Sequence, residues 1–223
     1  MNHISFRGSI YLILAVLIMM IRPSNLQAQT QEKASDEKVG GLAPSGSGVE
    51  KPFHDAREKF LKKEYQNAAA EIRRSAAFLD EEAKLATDAR KKALIASARE
   101  LDQLADREGK GAVHSVQELE RAFARAEHAL AGYYHSKALE SWYGKAVPDA
   151  GRNLKAAAVH LENALNWAGQ RLEAGGVQAI RQGKEIGEKM ENGAGWVDSE
   201  VRKAIEGMKK EIDEGGHKIE FFK

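Results

Sequence analysis

Beyond Pro52 the apolar residues return every third or fourth position, the spacing of one helical face. The first stripe is Phe53, Ala56 and Phe60, then Tyr65, Ala68, Ile72, Ala76 and Leu79. Lys62-Lys63-Glu64 leaves two readings open, a turn between two short helices or the middle of one long one. Asp80-Glu81-Glu82 predicts a new start, an N-cap followed by acids in the first turn, where the helix dipole favours them. The helix expected there carries Ala83, Ala86, Leu94, Ala98, Leu101 and Leu104, and Gly109 and Gly111 end it.

Ser115-Val116-Gln117-Glu118 has the pattern of a capping box. The helix it opens is expected to bury Leu119, Phe123, Ala126, Leu130, Tyr134, Ala138 and Trp142. Pro148 stops that helix and suits the first turn of the next. There the stripe is Leu154, Ala158, Leu161, Leu165, Ala168 and Leu172, with Gly175-Gly176 as the expected kink or end. Val177, Ile180, Ile186 and Met190 continue it. Asn192-Gly193-Ala194-Gly195 is a turn. Asp198 is the expected cap of a last helix with Val201, Ile205, Met208, Ile212 and Ile219 inside. The pattern predicts an all-α fold, an antiparallel bundle of five to six helices with short connections. Strict heptads are not sustained, which disfavours a long parallel coiled coil.

The N-terminus changes this picture. Arg7 precedes an apolar run from Ile10 to Ile21, and Arg22, Pro23 and the small-residue stop Leu26-Gln27-Ala28 follow. That order describes an export signal. The run is shorter than the ~20 residues a bilayer span takes. Residues 1–28 are therefore expected to be a signal peptide, removed near Ala28, with no transmembrane span left after processing. Residues 29–51, rich in Gly, Ser and charge, are an expected disordered linker. Residues 52–223 form the expected helical domain. The chain has no cysteine, which removes disulfides, thiol catalysis and thiolate metal sites. A cysteine-free exported protein points to a bacterial periplasm or secretion. Losing Arg7 and Arg22 with residues 1–28 moves the net charge from +1 to −1, far from the basic excess of a nucleic-acid binder.

Ala56-x-x-x-Phe60 followed by Glu64-Tyr65-x-x-Ala68-x-x-x-Ile72 resembles one tetratricopeptide repeat, a helix–turn–helix unit used for peptide binding. The resemblance covers residues 53–80. It lacks the family's early Trp-x-x-Leu and closing proline, and no second copy follows about 34 residues on.

No nucleophile elbow, phosphate loop or dinucleotide fingerprint is present, so no enzyme and no cofactor is expected. The chemistry left to weigh lies in histidines and aromatics. His128 and His135 are seven apart and share a face, separated by about 10.5 Å of helix. With His160 from a facing helix they are the candidate metal or haem ligands. Their face is expected to lie away from the main stripe, roughly opposite Leu130. Neighbouring Tyr133 and Tyr134 point about 100° apart, so one of them is expected to leave the core. Tyr133, His135, Tyr143 and Trp167 are the candidate binding surface. Gly183-x-x-x-Gly187 permits close helix contact. The expected function is an exported, non-enzymatic binding, adaptor or chaperone-like module of the cell envelope, with a protein or peptide partner. A metal- or haem-binding bundle is the alternative.

Overall fold

The computed structural model describes residues 48–171 and 173–220, all within one compact unit. The expected signal peptide, the linker up to residue 47, and Leu172 lie outside the described residues. Within them the chain is all-α, with seven helices rather than five or six. These are α1 (Glu50–Leu61), α2 (Tyr65–Lys84), α3 (Asp88–Glu108), α4 (Val116–Tyr143), α5 (Val147–Trp167), α6 (Ala174–Glu191) and α7 (Asp198–Glu220).

The first helix starts inside the expected linker. Val49 is fully buried and Glu50 already lies in the first turn. Pro52 does not delay the start, because the first turn has no intrahelical use for its missing N–H. Lys62-Lys63-Glu64 is a turn, with Lys63 in the left-handed region at φ 62°. Its neighbours close a Schellman motif, in which the Glu64 amide bonds the Lys59 carbonyl. The same motif ends α3 at Gly111, α4 at Lys145, α5 at Gly169 and α6 at Gly193.

Three expected boundaries move. Asp80 does not cap a helix: α2 runs through it to Lys84, and α3 begins after Thr87. Glu82 is buried against the hydroxyl of Tyr134 (3.3 Å), so an acid read as a first-turn residue serves the interior. Gly175-Gly176 is not the break after α5; that helix ends at Trp167, and both glycines sit in the first turn of α6. Asp198 is the first residue of α7 rather than its cap. Ser115 does stand at the N-cap of α4 with extended backbone, but its side chain makes no capping bond. Glu118 reaches Arg107 of α3 instead.

Consecutive helices pack side by side and run in opposite directions. Between α3 and α4 the polar pairs climb one helix while descending the other: Arg107 with Glu118, Glu100 with Arg125, Arg90 with Ser136. Between α5 and α6 the pairs are Lys155 with Glu191 and Glu162 with Lys184. The longest helix, α4, is the hub; α1, α3, α5 and α7 all pack on it. That explains why its buried positions occupy almost every side rather than one stripe. At the α5–α6 seam the two backbones approach closely. A Cβ added at Gly187 would lie 2.6 Å from the Gly151 carbonyl oxygen, and one at Gly151 would strike the Gly187 carbonyl. Among the described residues no helix is long and apolar enough to cross a membrane.

Candidate functional site

A cleft of about 440 Å³ lies between the start of α1 and the end of α5. On α1 the residues Glu50, His54 and Arg57 line it, spaced four and three apart and so on one face. Asn163, Asn166 and Trp167 contribute the last turn of α5, with Gly169 beyond. Glu120 enters from α4, where Arg57 Nε donates to its Oε1 at 2.7 Å.

An aromatic cluster fixes the wall. Phe53 of α1 stacks on Phe123 of α4 at 4.1 Å between centroids, and the half-buried Trp167 meets Phe123 edge-on at 5.3 Å. His54 leans on the same indole at 4.8 Å. Ring pairs of this kind contribute about 0.5–1.5 kcal/mol each beyond area burial, so Trp167 has little freedom to move. Glu50 has no ion-pair partner among the described residues. The last turn of α5 carries no basic residue, so nothing of its own opposes the negative pole there.

A buried acid–histidine pair lies behind this wall. His160 Nδ1 donates to Glu127 Oε2 at 2.5 Å, and neither side chain reaches solvent beyond 2%. The Tyr134 ring stacks on His160 nearly parallel at 5.2 Å. Burial pushes the Glu127 carboxyl upward, and the bond from His160 opposes that rise. Sequence reasoning missed Glu127, although its place four after Phe123 and three before Leu130 puts it inside the apolar stripe.

The three candidate metal ligands have separate occupations. His128 Nε2 donates to the Ile212 carbonyl of α7 at 2.7 Å, and His135 Nε2 to the Ile205 carbonyl at 3.0 Å. Seven residues on α4 thus match seven on α7. The third, His160, faces Glu127 and Tyr134. Among the described residues no group of three or more His, Asp or Glu side chains is placed to hold a metal ion. The histidine face is covered by α7, contrary to the expectation that it lies apart from the core, and burial lowers the His135 pKa.

Of the candidate binding surface, Tyr133 and His135 are 1% and 2% exposed and present nothing to a partner. Both adjacent tyrosines are buried, because the hub helix is covered on several sides. Tyr143 is 74% exposed but stands away from the cleft lining. Trp167 alone of the four lines it. The other cleft residues had a faint signal, the polar stripe Glu50-His54-Arg57 flanking Phe53; their meeting with α5 was not visible in either segment.

No protein-family model matches the chain, and no curated protein and no solved structure is significantly similar to it. The tetratricopeptide resemblance of residues 53–80 corresponds to α1 and α2 packed through small residues such as Ala56 and Ala69.

Proposed function

We propose that the chain is an exported, non-enzymatic binding module of the cell envelope, with the cleft between α1 and the end of α5 as its contact site. The observation that carries the reading is this cleft: a rigid indole wall, with polar groups from three helices converging on about 440 Å³. Its polar lining favours a partner side chain or chain end over an apolar cofactor, since small-molecule cofactor sites are mostly apolar. Two features support a non-catalytic role. The buried acid–histidine pair, Glu127 with His160, is sealed from any substrate, and Glu120 is engaged by Arg57. The order of charges and apolar residues in 1–28 supports export with cleavage after Ala28, delivering the bundle to a periplasm or the medium as an adaptor or chaperone-like protein.

The test has two parts. Amino-terminal sequencing of the protein recovered outside the cytoplasm is expected to begin at Gln29; a start at Met1 overturns cleavage after Ala28, and confinement of the protein to the cytoplasmic fraction overturns export. His54 and Asn166 are exposed, so the H54A/N166A double variant keeps the fold. In capture from an envelope extract, wild type is expected to retain a partner that the double variant loses. Equal retention removes the cleft from the proposal.

A further inference from the structure

Resting on that reading, the geometry points to a ligand class for the cleft: a primary ammonium group carried on a short unbranched alkyl stem. Four observations converge on it. Glu50 faces the cleft half-buried without an ion-pair partner among the described residues. Arg57, the cation in the lining, directs its Nε to Glu120, and Lys51, next to Glu50 along α1, pairs with Asp55, so among the described residues the lining keeps one uncompensated negative charge. The 21-residue helix α5 ends at the cleft with no basic residue in its last turn, and a helix C-terminus favours a cation. Trp167, the best of the side chains for attracting a cation through its ring face, forms the wall. The N-terminal pole of α1 works against an ammonium, but at about half a charge it only partly offsets the full negative charge of Glu50. An anion meets the reverse of each term, and a neutral ligand gains from none of the charges.

An ammonium on a short stem occurs on a lysine side chain and on a free amine. The probes are therefore n-butylammonium, its neutral counterpart 1-butanol, and an N-acetylated, C-amidated Gly-Lys-Gly peptide. The reporter is the Trp167 indole N–H resonance of the 15N-labelled protein, assigned with the W167F variant. Both ammonium probes are expected to shift it saturably, and 1-butanol is not. Tighter binding of the peptide identifies a polypeptide lysine as the source, and equal binding identifies the free amine. Glu50→Gln, which removes the charge and keeps the shape, is expected to weaken binding roughly fivefold. Raising NaCl from about 50 to about 500 mM is expected to weaken it several-fold. Circular dichroism of E50Q matching wild type excludes unfolding as the cause. Equal shifts with 1-butanol, undiminished binding by E50Q, or no shift with either ammonium probe overturns the ligand class. If H54A/N166A still loses a captured partner in that event, the binding reading stands and only the ammonium assignment falls.

Discussion

Glu108, the last residue of α3, is fully buried, and neither carboxyl oxygen has a hydrogen-bond partner among the described residues. Burial, with Glu118 nearby, raises its pKa to about 7. A carboxyl whose folded pKa lies above its ordinary 4.5 holds its proton more tightly in the native state. Its contribution to stability is therefore complete below about pH 4.5, declines as pH rises to about 7, and stays lost above. Relative to wild type, E108Q is expected to be about 1–2 kcal/mol more stable at pH 8, with the difference closing toward pH 4.5; urea unfolding at both pH values measures it. Glu127 and His160 obey a different rule, because each is the other's buried partner. E127L is expected to cost about 3 kcal/mol by leaving His160 Nδ1 without an acceptor. In a double-mutant cycle, E127L/H160L is expected to cost less than the two single losses combined. Full additivity would show that the pair is energetically idle.

At the scale of the element, the α5–α6 seam depends on two backbones in near contact. G187A is expected to destabilise by about 1–3 kcal/mol, because its Cβ must displace the Gly151 carbonyl or Lys155. G175A, whose Cβ would meet only the Glu211 carboxylate at 3.6 Å, is expected to be neutral or slightly stabilising. Thermal midpoints separate the two. Helices were the most legible part of the sequence, because an apolar stripe is written locally: the stripe from Phe53 to Leu79 is buried except for the half-buried Phe60 and Tyr65, and Val201, Ile205, Met208, Ile212 and Ile219 are buried where spacing put them. Boundaries were less legible wherever a local signal had a tertiary use. Asp80-Glu81-Glu82 resembles a helix start, but Glu82 serves Tyr134 across the core. Gly175-Gly176 resembles a stop, but a first turn tolerates glycine because few of its amides have intrahelical partners. Lys63 and Lys145 stand where glycine usually ends a helix, so the first turn was only one of two readings and the second was marked by Pro148 alone. The cleft was illegible beyond Trp167, since it exists only where α1, α4 and α5 meet.

For the whole molecule, α4 is the hub and α7 closes it from one side. Two imidazoles hold α7 by its own main chain, His128 at Ile212 and His135 at Ile205. Each such bond contributes about 1 kcal/mol. H128L/H135L is expected to speed amide exchange in α7 about tenfold or more while α2 and α3 exchange as before. A uniform change across all helices would show that α7 does not open on its own. These two clasps also limit which lengths of chain evolution can try here. Residues added in the connection before Asp198 lengthen a tether and leave both clasps seated. A single residue added between Ile205 and Ile212 turns one carbonyl about 100° away from its imidazole. The distance between those two isoleucines is thus a fixed gauge, and lineages that alter it must give up one histidine or the other.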